Sequence, residues 1–254
     1  MRASLSIAYR DWCGLFATPL AWTLLAAVQL ILGVFIFLTQ LDGFVEKQAM
    51  LVSINSHFGI TSIVVTPLFE SASLLLLFVI PLVCMHSIAG ERRGARLALL
   101  FSSPVSMSSI VLGKYLALLG FTALMCTLIS LMPLSLLLAG GLDLGLLAAA
   151  YCGLLLMAAS YAAVGLYVSS LTSQPALAAV GSFALLAALY QFRNAPNTGT
   201  GWVSEMLAYL SLNAHGQAML QGVINSTDLM FFGLFIFGFL IFTTRRLDAL
   251  RSHG

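Results

Sequence analysis

Charge is what this sequence has least of: among 254 residues only 11 are Lys or Arg and 9 are Asp or Glu, while 60% are hydrophobic. A soluble domain keeps roughly a quarter or more of its surface charged, so no part of the chain reads as one. The basic residues form no long run and the formal net charge is +2, which removes the electrostatic basis for nucleic-acid binding. Cysteine is sparse as well. Cys13, Cys84, Cys126 and Cys152 stand far apart without a C-x-x-C spacing, as expected of small buried hydrophobes rather than a disulfide framework. No relay of Asp, Glu, Lys or His runs through the apolar stretches, as a proton-coupled transporter would need, so energy must come from elsewhere. The order of a cleaved signal peptide is missing too: Arg2, Arg10 and Asp11 precede the first apolar run and no small-residue cleavage site soon follows it, so the first helix is expected to be retained.

What is present is a series of apolar runs of membrane-crossing length. A hydrocarbon core of about 30 Å needs about twenty apolar residues in a helix. Such runs cover residues 20–38, 68–89, 115–139, 142–169, 174–190 and 229–244. Lipid leaves backbone groups without partners, and no segment alternates with the period of a barrel strand, so each run is predicted helical. The fold class expected is an all-α membrane protein with six transmembrane helices.

Orientation follows from the Lys and Arg residues. Arg2 and Arg10 precede the first run, Arg92, Arg93, Arg96 and Lys114 separate the second from the third, and Arg245, Arg246 and Arg251 follow the sixth. The positive-inside rule puts those segments and both termini in the cytoplasm. The opposite segments carry Lys47 and Arg193 beside Asp42, Glu46, Asp143, Glu205 and Asp228. Residues 202–224 are nearly long enough to cross, but a seventh span would invert the final arginines. With Ser211, Asn213, His215, Gly216 and Gln217 interrupting it, the stretch reads as a re-entrant or interfacial helical hairpin on the outer face. Residues 1–18 form a different element. Leu5, Ala8, Tyr9, Trp12, Leu15 and Phe16 recur at helical spacing opposite Ser6, Arg10 and Asp11, the pattern of an amphipathic helix at the cytoplasmic interface. Pro19 marks its junction with the first span.

Few residues offer chemistry. Gly113-Lys114 resembles the end of a phosphate-binding loop, yet Ser108 stands where the motif needs Gly and Tyr115 where it needs Ser or Thr, so the chain has no P-loop. Cys84, Met85 and His86 are soft and borderline metal ligands, but neighbours on a helix point apart. His57 and His215 read as polar groups on the outer side, Glu70 as an interfacial carboxylate, and Asn225-Ser-Thr as a glycosylation-type triplet without context. Gly153, Ala158, Ala162, Gly165, Ala179 and Gly181 suit close helix packing. The cytoplasmic loop at 90–114 is the most informative segment. Its start, with Glu91, Arg92, Arg93 and Arg96, is too polar for a span, whereas Leu97, Leu99, Leu100 and Phe101 are too apolar for a solvated loop. A short helix lying on the membrane domain is expected there, able to ion-pair with a soluble partner.

Three stretches in series carry a family resemblance: ERRGARLALLFSSPVSMSSIVLGKYLA, GLYVSSLTSQPALAA and LAYLSLNAHGQAMLQGVINSTDLMFF. Together they are similar to the membrane subunits of type-2 ABC exporters, closest to the gliding-motility-associated branch, over nearly the whole chain. The resemblance implies a six-helix permease of the bacterial inner membrane, not catalytic by itself. It also implies a cytoplasmic coupling helix that meets a separate ABC ATPase, present in two copies. Glu91, Arg92, Arg93 and Gly94 match the start of that coupling segment, with Arg96 beside them. Pro104, Gly113 and Lys114 match the turn into span three, and Ala95 departs from the threonine often found after the glycine. ATP and Mg would be bound by the partner subunit, with no cofactor in this chain. A second permease half, identical or homologous, is expected, along with membrane lipids. Two other functions stay open: a scaffold anchoring a soluble complex without transport, and an ABC-type permease serving copper-centre maturation through Cys84, Met85 or His86.

Overall fold

The computed structural model describes residues 2–53, 61–93, 106–139, 143–191 and 211–252. Among these the regular structure is helical throughout. Helix α1 spans Arg2–Phe16. After a turn, Thr18 adopts extended backbone (φ −92°, ψ 138°) and Pro19 opens α2, Pro19–Leu30, because proline fits a first helical turn, where its missing N–H has no partner to lose. The chain continues through a π-helical stretch, Ile31–Phe37, into α3, Leu38–Ser53. A second π-helical turn, Thr61–Val65, leads into α4, Thr66–Cys84. A turn then separates α4 from the short α5, Ala89–Arg93. Helix α6 spans Met107–Leu134 and closes in a 3-10 turn, Ser135–Ala139. Helices α7, Leu144–Leu171, α8, Pro175–Gln191, α9, Leu212–Leu220, and α10, Ser226–Ser252, complete the order.

Five helices are long and apolar enough to cross a membrane: Pro19–Val45, Ile63–Arg92, Met107–Leu137, Leu144–Leu171 and Ser226–Ser252. The fifth apolar run, α8, is a shorter helix of 17 residues. Helices outrun the apolar stretches at several ends because backbone hydrogen bonding, not hydropathy, decides where a helix stops. The first runs past Asp42, and α6 begins at Met107, well before residue 115 where its apolar run starts.

Helix α7 is the axis of the bundle. Its most apolar window is 72% buried, against 17% for α10 at the periphery. Helices α4, α6, α8, α9 and α10 all pack on it. Small residues permit the approach: a Cβ at Gly165 would lie 2.8 Å from Cys84 Sγ, and one at Gly181 would lie 3.1 Å from Val168 Cγ1. Helices α4 and α7 run parallel. At one end Asp143 N donates to Thr61 Oγ1 (3.0 Å), and at the other Ala89 N donates to Ser169 Oγ (3.0 Å). Asp143 also caps α7, accepting from Gly145 N (2.8 Å) and Leu146 N (3.3 Å), a pairing that satisfies otherwise orphaned N–H groups. The outward stripe Met230, Leu234, Phe237 and Ile241 of α10 is exposed, at the spacing of one helix face.

At the end opposite the chain termini, α9 is inserted against α7 by a reciprocal fit. Gly153 of α7 receives Met219, its virtual Cβ 2.7 Å from that side chain, and Gly216 of α9 receives the Met157 thioether. Helix α9 then ends in a glycine C-cap. Gly222 takes φ +93°, its N–H bonds Met219 O (3.0 Å), and Val223 N bonds Ala218 O (2.9 Å). His215 Nδ1 meets Asp228 Oδ1 at 2.7 Å, and its ring stacks on Phe231 with centroids 4.1 Å apart. This pair ties α9 to the first turn of α10. His215 is therefore part of an inter-helix polar contact.

Candidate functional site

The densest group of ionisable side chains among the described ion pairs lies where α1, α5 and α6 converge at the end of the bundle that holds both chain termini. Lys114 is the centre of it. Read from sequence as a loop residue, it sits in the second turn of α6 and is only 2% exposed. Its Nζ lies 2.8 Å from Glu91 Oε1, donates to Asp11 Oδ2 at 3.1 Å, and donates to Ser87 O at 2.9 Å. All three ammonium protons therefore have acceptors, as burial of a charge demands. Arg10 flanks the group, 3.0 Å from Asp11 Oδ1 and 3.8 Å from Glu91 Oε1, with its side chain 56% exposed. Two cations and two carboxylates leave the cluster neutral.

Helix α1 reaches this position because α6 carries glycines where α1 lies across it. A Cβ at Gly113 would fall 2.8 Å from Ser4 O and 2.9 Å from Ile7 Cβ, and one at Gly120 would collide with the Trp12 ring. The inward face of α1 is thus Ile7, Asp11, Trp12, Leu15 and Phe16. Leu5 and Tyr9, read as part of the apolar face, point outward at 60% and 73% exposure. Asp11 faces inward because Lys114 waits there.

Helix α5 is held from a second side. Ser169 Oγ, near the end of α7, accepts from both Ile88 N (3.2 Å) and Ala89 N (3.0 Å), capping α5 from another helix. Arg92 Nη1 donates to Ser170 O at 3.3 Å. Arg92 is thereby brought together with Ser170, 78 positions away in sequence. Arg93 ends α5 but its side chain, with Gly94, Ala95, Arg96, the apolar residues 97–101 and Pro104, lies outside the described residues.

Sequence reasoning put Asp11 on the polar side of the first helix and Lys114 in a loop at the turn into the third span, and gave Ser87, Ser169 and Ser170 no role. A visible signal existed for two of them: Lys114 falls within a helical period running from Met107, and Asp11 stands one turn beyond Ile7 in line with Leu15. Cys84 is buried against Gly165, whereas His86 is exposed on the turn after α4, so their side chains diverge. Among the described residues no group of three or more His, Cys, Asp or Glu is arranged to hold a metal ion. Structurally the arrangement is a joint that holds a short polar helix against three others by charge and capping, and among the described residues it places no nucleophile beside a base.

Compared with known proteins, the sequence matches no model of an established family and no curated protein.

Proposed function

We propose that this chain is the permease half of an ATP-driven exporter of the type-2 ABC class, moving substrate across a bacterial inner membrane under the power of a separate ATPase. The observation that carries the reading is the clamp on α5. Glu91 and Arg92 belong to the segment that resembles a coupling helix, and Ser169 and Ser170 to the second stretch that resembles the family. Arg92 Nη1 joins the two stretches by a hydrogen bond to Ser170 O, and Ser169 Oγ accepts from Ile88 N and Ala89 N just before the first of them. A segment that must pass a push from a soluble motor into a helical bundle has to be fixed to that bundle, and α5 is fixed to α1, α6 and α7.

In this reading α8 counts as the sixth span beside the five longer helices, and both termini are cytoplasmic by the distribution of Lys and Arg. Helix α1 lies at the cytoplasmic interface, with Tyr9 and Leu5 toward head groups and Asp11 toward Lys114. Helix α9 is the returning limb of a re-entrant hairpin. Two ATPase copies, holding ATP and Mg, close on each other, and the joint transmits that closure to α1, α6 and α7. A second permease half completes the path.

The test is affinity purification of the tagged chain in mild detergent, with ATP hydrolysis assayed on whatever elutes. A nucleotide-binding partner should co-purify, and Arg92→Glu or Arg93→Glu should lower its activity several-fold without loss of the permease. Elution without such a partner, or activity indifferent to both substitutions, sinks the reading.

A further inference from the structure

Helix α10 carries its apolar outer face straight into a basic end. Ile241 and Phe242 are 40% and 57% exposed, and one helical turn beyond them stand Arg245 and Arg246, both exposed. Each guanidinium therefore continues a row of outward side chains. Gly238 lies in the same rows, between Leu234 at i−4 and Phe242 at i+4, and shares a face with Arg245 at i+7. A Cβ at Gly238 would meet nothing within 4 Å. The outer face thus has a notch there, about 10 Å before Arg245 along the helix axis.

Cations at this end of the bundle differ in what holds them. Arg10 pairs with Asp11 and Glu91, Arg92 donates to Ser170 O, and Lys114 is enclosed. Arg245, Arg246 and Arg251 have no side-chain hydrogen bond or ion pair among the described residues. Asp248 stands among them, exposed and pairing with none, and leaves residues 245–252 a formal charge of +2. The inward side of this turn is held by Thr243 and Leu247, at 0% and 1% exposure, so the arginines can engage an anion without disturbing the packing. Setting orientation requires only that positive charge be somewhere in the segment. Two adjacent guanidiniums past an open apolar notch supply more: donors for a phosphate and a place for the acyl chain attached to it.

We propose that the end of α10 binds an anionic phospholipid, its phosphate at Arg245 and Arg246 and one acyl chain laid across Gly238 beside Phe242. Arg251 adds attraction at longer range, against which Asp248 works. A zwitterionic lipid carries its own cation beside the phosphate and gains less. An acidic soluble protein would use the charges but not the notch, which opens on the same face as Leu234 and Ile241. Which leaflet is bound rests on the proposed orientation; the binding needs neither an ATPase nor transport.

The test uses the full chain purified in neutral detergent, without any ATPase, so the permease reading is not at stake in it. Dioleoyl phosphatidylglycerol and dioleoyl phosphatidylcholine, equal in tails and unlike in head-group charge, are titrated separately, and native mass spectrometry counts the bound lipid. Phosphatidylglycerol should bind about tenfold more tightly, and its affinity should fall as salt rises. Arg245→Gln combined with Arg246→Gln should remove that preference, a loss of about tenfold from two charges near the phosphate. Asp248→Asn should tighten binding. Gly238→Leu fills the notch and should weaken phosphatidylglycerol several-fold with both arginines in place. Arg245, Arg246 and Asp248 are exposed and Gly238 meets open space, so lipid-free melting temperatures should not fall in any of these variants. Equal affinity for the two lipids, or a preference that survives the double replacement, overturns the proposal. A preference indifferent to Gly238→Leu overturns the seated lipid and reduces the arginines to diffuse charge. Competition by sn-glycerol 3-phosphate as effective as that by the lipid overturns the phospholipid as ligand. A Gly238→Cys chain, with Cys13 and Cys152 changed to serine, that crosslinks to a dimer on oxidation in membranes would put a second copy on this face and overturn it as well.

Discussion

Lys114 is where the physics is most concentrated. A buried ammonium survives only with its protons occupied, and here they are shared among Glu91, Asp11 and a carbonyl. Removing the cation strands two carboxylates that are 18% exposed. Lys114→Met should therefore lower stability by about 3–5 kcal/mol, the cost of breaking a buried pair from one side, seen as a lower melting temperature in detergent. Arg10→Ala removes a partner that is largely in solvent and should cost well under about 1 kcal/mol. The pair at the other end behaves by the same rule. His215→Ala leaves Asp228 buried with both oxygens unpartnered by the imidazole, so it should be worse than the double replacement His215→Phe with Asp228→Leu. A double replacement that melts lower than His215→Ala would show that the two residues are not acting as a pair. Neither pair was legible in the sequence. Hydropathy treats Lys114 as an interruption, and no spacing rule links it to a carboxylate 103 positions earlier.

Whole helices were easier to read, and the reason is that lipid-facing composition is local information. The runs at 142–169 and 174–190 reappear as α7, Leu144–Leu171, and α8, Pro175–Gln191, and Pro19 separates α1 from α2 as its fixed φ requires. Helix–helix contacts are not local, so Gly113 and Gly120 gave no sign that they form the seat of α1. Gly120→Ala should detach α1 from α6 and cost about 1–3 kcal/mol through overpacking. Gly238→Ala on α10 has nothing within 4 Å of its new methyl and should be neutral or gain up to about 1 kcal/mol from helix propensity. Comparing the two variants by thermal unfolding isolates the collision from the intrinsic preference. Similarly, Ser169→Ala uncaps Ile88 and Ala89 together, and a loss of about 1–3 kcal/mol is expected. The depth of α9 escaped the sequence for a related reason: polar residues such as Asn213 and His215 mark a break, but only Gly153 and Gly216, seen facing their methionines, say how far the helix goes in.

At the scale of the whole molecule, the exposed stripe on α10 and the buried axis at α7 describe a bundle whose outside is as apolar as its inside, suited to lipid and not to water. Its ends are distinguishable. Cysteines placed at exposed Asn225 and Ser252, the two flanks of α10, in a chain with Cys13 and Cys152 changed to serine, should be labelled from opposite sides of intact cells. An impermeant thiol reagent should reach position 225 directly and position 252 only after permeabilisation. Labelling of both from outside would invert or abolish the proposed topology.

The seating of α1 also sets an order of assembly. Helix α1 leaves the ribosome well before α6, yet its seat on Gly113 and Gly120, and the cation for Asp11, belong to a helix that begins at Met107. Until that helix has been made and inserted, the N-terminal segment has nowhere to dock within this chain and must wait at the membrane surface with Asp11 in water. A nascent chain arrested before Met107 should therefore leave α1 open to protease, and one arrested well beyond Gly120 should protect it, so the joint doubles as a checkpoint that only a chain grown past α6 can close.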